Sequence, residues 1–293
     1  MKVTNSLVNN TKKEGITAYL NNQNVISQID KAIGISNRQR FITAIISAVS
    51  NNKDLQKCTN DSILLGALLG ESLQLSPSQQ LGHYYLVPYN LYRENKTVAQ
   101  FQIGYKGLLQ LAIRSGQYKK INVISLKPGE LIKYNPLTED IDVNLIEDDI
   151  EREEMPDVGY YAMFELTNGF RKSLYWSYSK MENHARKYSS FYKSDLQNNT
   201  KNSFWSNDFQ GMAYKTMLRQ LLSKWGILSI DLQNAFESDM ATIKEDGTKE
   251  YLNDEENIKV AEEKLIEKEE KQVKNISNES FIAAPSIADV LFS

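Results

Sequence analysis

The chain has 293 residues, 41% hydrophobic and 24% charged, with a net charge of −3. That is globular composition, long enough for one large domain plus an appendage, and it argues against a uniformly basic nucleic-acid binder. No apolar run approaches the roughly 18 residues of a membrane helix, the stretch MKVTNSLVNNTKKEG lacks a signal-peptide core, and a lone Cys58 excludes an internal disulfide framework, so a cytoplasmic protein without a membrane partner is expected.

Residues 1–15 read as a polar, mobile arm. Residues 16–75 read as helical. SNRQRFITAIISAVS opens with a Ser36-x-x-Gln39 capping box, and Phe41, Ile45, Ala48 and Val49 recur at helical spacing. DSILLGALLGESLQL is a further helix, with Gly66 and Gly70 permitting close packing, and the turn residues of SPSQQLG end it. The middle changes character. HYYLVPY, VAQFQI, KINVISL, DVGYYAMFEL and FRKSLYWSY are short, rich in aromatic and β-branched residues, and bounded by Gly, Pro or Asn. Asn168-Gly169 between the last two is a hairpin signal. A helix over 104–115 interrupts these strands. SKMENHARKYSS predicts a short helix with a Ser179-x-x-Glu182 box, YKSDLQNNTKNS a mobile loop, and FQGMAYKTMLRQLLSKW the last long core helix.

After residue 236 the chain becomes charged and poor in apolar residues, which predicts a flexible acidic linker. It closes on SFIAAPSIADVLF, either a docking peptide or a frayed terminus. The expected architecture is therefore α+β: N-terminal helices packed with a small antiparallel sheet and a long C-terminal core helix, followed by a flexible acidic tail. The expected division is an arm at 1–15, a core at 16–236 and a tail at 237–293.

Charge is segregated along the chain. Residues 170–225 carry ten Lys/Arg against three acids, residues 101–134 six against one, while 147–157 and 237–271 are acidic. Within FQIGYKGLLQLAIRSGQYKKI, Lys106, Gln110 and Arg114 stand at i, i+4 and i+8 in one narrow row, with Gly107 at its edge, where a missing side chain would admit close approach. The later helix repeats this, with Lys215, Arg219 and Ser223 in one row preceded by Gly211. Neither row has an acid at i±3 or i±4. One such row taken alone reads as an ordinary solvated helix face; two in an acidic protein favour a phosphate-lined groove. Tyr118, Tyr188, Phe191, Tyr192, Phe204 and Trp205 interleave with Lys119, Lys120, Arg186, Lys187 and Lys193. Cations beside stacking rings are the ingredients of single-strand binding. Tyr105 lies on the apolar face and reads as core.

LGHYYLVPY, FQIGYKGLLQLAIRSGQYKKI and FW…DFQGMAYKTMLRQLL, in this order, resemble the RecT family of phage single-strand annealing proteins. The resemblance covers roughly 16–233 and is densest at 81–121 and 204–222. It implies ATP-independent pairing of complementary single strands through a duplex annealing intermediate, in homologous recombination. It also implies homo-oligomerisation into rings or helical filaments, no cofactor, and partnership through the tail with a 5′→3′ exonuclease and the host single-strand-binding protein. The family's basic positions fall on Lys106, Arg114, Lys119, Lys120, Lys215 and Arg219. Arg186 and Lys187 are added as phosphate contacts from their setting, with Gln110 and Ser223 as hydrogen-bonding partners of sugar or phosphate. In one departure, this chain follows the last core helix with SKWGILSID, where relatives often carry Leu-Pro; Gly226 then reads as a C-cap glycine.

Two other readings compete. A passive single-strand binder has the same composition, and only the resemblance separates it from an annealer. A metal-dependent nuclease would have to use the carboxylates of 147–157, which are consecutive and loop-like and read as a solvated acidic loop. No G-x-x-x-x-G-K-[ST] run is present, and His83, His184 and Cys58 cannot make a four-ligand zinc site alone. No catalytic or metal-binding residue is therefore assigned. His83 reads as structural and His184 as an exposed spectator.

Overall fold

The computed structural model describes residues 15–78, 80–244 and 246–251. The N-terminal part is helical, as predicted: α1 Ile16–Leu20, α2 Gln23–Ile33, α3 Ile35–Ser50, a 3-10 turn Leu55–Lys57, and α4 Asn60–Ser72. α3 does not start at the Ser36 box. Gly34 precedes it with φ +80°, and no side chain caps it. α4 is apolar on all sides because it lies in the core, and the bare surface at Gly70 seats the Tyr84 ring, which would overlap any Cβ placed there.

β1 Tyr84–Leu91 and β2 Lys96–Ile103 form an antiparallel pair running from Tyr84↔Ile103 to Leu91↔Lys96. α5 Tyr105–Arg114 follows at once. A second sheet pairs β3 Tyr118–Leu126 with two strands introduced later in the chain. Before them come the hairpin β4 Leu131–Tyr134 and β5 Ile141–Val143, which periodicity does not reveal, and α6 Asp149–Glu154. β6 Gly159–Leu166 and β7 Arg171–Ser177 then complete the antiparallel order β3-β6-β7. The Asn168-Gly169 signal marks a real hairpin, but its loop has three residues: Leu166 N–H bonds Phe170 O, and only Gly169 takes positive φ, +87°.

α7 Tyr178–Tyr188 is capped by Ser177, two residues before the expected box. Much of the predicted mobile loop at 192–203 is instead helical, since α8 Ser190–Asn198 runs into it, and α9 Phe204–Asn207 follows it. Asp195 explains the order. It is buried and accepts hydrogen bonds from Thr200 Oγ1 (2.6 Å), Asn202 N (2.9 Å), Ser203 N (2.7 Å) and Ser206 Oγ (2.7 Å), so one carboxylate ties down a sequence of turn formers. Burial opposes its charge, but these donors prevail and hold its pKa well below the ordinary carboxylate range.

α10 Phe209–Trp225 spans the expected residues. Met217, Leu218, Leu221 and Leu222 are buried where it packs on α5 and the β3-β6-β7 sheet. Its end is not a left-handed cap: Gly226 has φ −78°, with Tyr118 Oη pressed close and donating to Ile227 O at 2.9 Å. α11 Ile230–Ser238 leads into β8 Ala241–Ile243 and β9 Lys249–Tyr251, which extend the first sheet to the order β1-β2-β8-β9. The architecture is α+β with antiparallel sheets, as the element pattern requires. The predicted arm up to residue 14 and the tail beyond 251 lie outside the described residues.

The acidic stretch at 147–157 is not a loop free in solvent. Asp148 caps α6 by accepting from Ile150 N and Glu151 N. Arg152 reaches inward to Glu130, which is fully buried, with Nε–Oε1 2.6 Å and Nη2–Oε2 3.1 Å, and it also donates to Ser125 O at 2.7 Å. Burial of Glu130 favours its neutral form. The bonds from Arg152, Lys127 N and Ile146 N outweigh that and keep its pKa low. Lys127 Nζ pairs with Asp157 at 2.8 Å.

Candidate nucleic-acid interface

α5 starts directly after β2 because Gly104 and Gly107 permit it. A Cβ on Gly104 would overlap the carbonyl oxygen of Gly82, and one on Gly107 that of His83. The approach that Gly107 admits is therefore the chain's own β1 entry. Gly211 likewise accommodates the Asp208 carboxylate, which accepts from Gly211 N at 2.9 Å and caps α10.

The ten candidate residues fall into three groups. Lys106, Gln110, Lys120, Lys187 and Ser223 are exposed, and among the described residues the three lysines have no ion-pair partner. Lys119 and Arg186 are exposed but paired, with Glu165 at 2.6 Å and Glu182 at 2.7 Å. Such solvent-screened surface pairs contribute little, so a phosphate can take the carboxylate's place at little cost. Arg114, Lys215 and Arg219 are engaged by acceptors of the chain itself, although Arg114 and part of Arg219 stay exposed. Arg114 donates to Leu73 O at 2.6 Å and Gln74 O at 3.2 Å, satisfying carbonyls at the end of α4, and lies 3.7 Å from Asp231. Lys215 is buried at 7% exposure with Nζ 2.8 Å from Asp239 Oδ1, while Arg219 Nη1 sits 2.6 Å from Oδ2 of the same carboxylate. Asp239 Oδ1 also accepts from Ile103 N at 3.1 Å. Arg219 covers the Phe236 ring at 5.4 Å and keeps part of its guanidinium in solvent.

Thus the second row does find an acid, twenty or more positions away in sequence, where helical spacing cannot see it. Lys119 and Lys120 present both side chains to solvent although adjacent strand residues normally alternate. The register slips between Tyr118 and Lys120, and this bulge supplies the extra turn of the backbone. Tyr105 is half-buried and meets Tyr214 edge-on at 5.4 Å, a core role.

His83 accepts from Ser76 N through Nδ1 at 3.3 Å. Burial, then the charges of Arg114 and Lys106, lower its pKa and favour the neutral ring this bond requires. His184 is no bare spectator: it packs against Trp176 at 5.3 Å and Tyr188 at 4.6 Å, and burial followed by Lys187 lowers its pKa.

Alongside these cations runs a strip of rings on β1 and the 178–205 segment. Phe204 lies 6.1 Å from Tyr85, and Phe191 meets Tyr89 edge-on at 5.9 Å. The Tyr85 hydroxyl and the Lys106 methylenes both flank Gly82. Lys106 is therefore continuous with the aromatic strip, and sequence spacing gives no sign of this. The α+β scaffold thus sets exposed lysines beside exposed rings, the side-chain types that single-strand binding uses.

The RecT family profile matches residues 39–258, and the chain belongs to the RecT family. Uncharacterized protein YqaK of Bacillus subtilis (strain 168) is 38% identical over 264 residues, 86% of this chain and 84% of its own. Protein RecT of Escherichia coli (strain K12) is 26% identical over 231 residues, 78% of this chain and 81% of its own. Family membership supports a role in single-strand annealing and DNA recombination. Among the described residues no helix is long and apolar enough to cross a membrane.

Proposed function

We propose that this protein pairs complementary DNA single strands without ATP or covalent chemistry. The observation that carries this reading is family membership over 39–258. The exposed lysines Lys106, Lys120 and Lys187, which close no ion pair among the described residues, support it. Each strand repels its complement through its phosphates. Basic side chains along the strip neutralise the backbone and release counterions, while the bases stay available. Lys119 and Arg186 exchange their surface carboxylates for phosphate, and the outer edge of Arg219, Gln110 and Ser223 offers further donors. Repeating the strip around a ring or along a filament holds many nucleotides in one register. The correct complement then adds stacking and pairing energy that a mismatch lacks, so discrimination comes from the strands themselves. The acidic tail is repelled by DNA and is assigned to partners, a 5′→3′ exonuclease and the host single-strand-binding protein.

The test is to mix two complementary labelled oligonucleotides with the protein, omitting ATP and divalent metal. Faster duplex formation than in buffer is expected. Coating without acceleration would indicate a passive binder, and metal-dependent strand cleavage a nuclease; either result would displace this reading.

A further inference from the structure

Between the β1–β2 pair and the α8–α9 segment lies a cleft of about 240 Å³. Its floor carries two amides on the same face of β2. Gln100 and Gln102 are 5% and 9% exposed. Gln100 Nε2 donates to Met240 O at 2.7 Å, which fixes that amide's orientation, and Gln102 Nε2 donates to Gln100 Oε1 at 2.8 Å, which fixes the second. Gln102 Oε1 is left, among the described residues, with no hydrogen-bond donor. The rim consists of rings that the core does not need: Tyr188 and Tyr251 are 64% and 59% exposed, Phe191 and Phe204 37% and 40%.

This chemistry selects among occupants. Among the described residues no cation lines the cleft, so a phosphate has no opposite charge to meet there. An apolar side chain would bury an acceptor without a partner. A nucleobase satisfies both halves, with a π-face for the rings and an amine or imino N–H on its edge for Gln102 Oε1. The setting also suits the rest of a nucleotide. Lys187 Nζ stands 5.1 Å over the ring of Tyr188, and Phe204 leads through Tyr85 to Lys106. A backbone held by those two lysines passes the opening and can turn one base inward.

We infer that this cleft binds one unpaired nucleobase of the single strand, stacked on the rim rings and met at its edge by Gln102. The inference rests on the reading of the chain as a single-strand binder, and the experiment separates the two. Full-length protein is titrated into a fluorescent oligonucleotide carrying 2-aminopurine, and into one of equal phosphate count carrying abasic sites. Wild type is expected to change 2-aminopurine emission and to prefer the intact strand by about 10-fold. The double variant Tyr188→Ala/Phe204→Ala is expected to bind both strands within about 2-fold of each other, with an unchanged salt slope, because it keeps its phosphate contacts. Should the double variant not fold, Tyr188→Leu alone, at a largely exposed site, makes the same comparison. If wild type binds no single strand, the underlying reading fails and the inference with it. If wild type binds but does not distinguish abasic DNA, or a folded variant retains the full preference, the cleft inference alone is overturned.

Discussion

At the scale of single residues, two lysines of similar sequence setting have opposite roles. Lys106 and Lys215 each begin a row of cations on an amphipathic helix, and by spacing alone both would be phosphate ligands. Lys106 is solvated, whereas Lys215 is buried against Asp239. Lys106→Ala should leave thermal melting unchanged and lower the slope of log binding constant against log salt by about 0.7, the value of one single-strand phosphate contact. An unchanged slope in a folded variant would remove Lys106 from the interface. Lys215→Ala should instead destabilise the fold by about 1–3 kcal/mol, because it takes one charged donor from a buried carboxylate that Arg219 and Ile103 N still engage. Denaturant unfolding of the two variants side by side distinguishes the roles. Wild-type stability in the Lys215 variant would mean that Asp239 is satisfied without it.

At the scale of elements, the segments that composition describes poorly are those organised by one buried carboxylate. The 192–203 stretch reads as a loop because its residues are polar and turn-forming. It folds because Asp195 collects its backbone and hydroxyl donors, and no local periodicity encodes that. Its folded pKa lies below the ordinary 3.8, so its stabilisation is fully present above about pH 4 and is lost as pH falls toward the folded value, where the unfolded chain takes up the proton first. Asp195→Asn should therefore lower stability at neutral pH and flatten the pH dependence of unfolding below pH 4; equal acid sensitivity in the variant and wild type would contradict this. The 147–157 run shows the same logic from the basic side. Arg152 is the one cation among its acids, and it anchors α6 on Glu130. Arg152→Ala should cost on the order of 3 kcal/mol, whereas neutralising Asp149, Glu151 and Glu153 together should leave stability and annealing nearly unchanged. A metal requirement that appears in wild type and vanishes in the triple variant would revive the nuclease reading.

At the scale of the whole molecule, the question is where the working core ends. Composition puts a boundary near residue 236. The described chain continues past it in contact with the body: Ser238, Asp239 and Ala241 are buried, Met240 N bonds Phe101 O at 2.9 Å, and Tyr251 Oη donates to Glu237 O. We expect a truncation to residues 1–251 to anneal oligonucleotides like the full chain while losing recombination in cells through its lost partners. A truncation to 1–236 should melt earlier, having lost Asp239 from beneath Lys215 and Arg219. Equal melting temperatures for the two would show that the 237–251 segment contributes nothing to the core.

What the sequence determined by itself was everything carried by short-range regularity. Apolar residues at helical spacing placed α5 and α10 to within a residue, because a helix buries one face whatever it packs on. Alternating aromatic and β-branched runs placed the β1–β2 and β3-β6-β7 strands, and long ordered motifs carried the family. Only the tertiary structure decided which cations are free. A lysine is available to phosphate according to whether a carboxylate lies within a few ångströms, and Asp239 reaches Lys215 across 24 positions and Ile103 across 136. Coulombic pairing depends on distance in space, to which spacing along the chain gives no access.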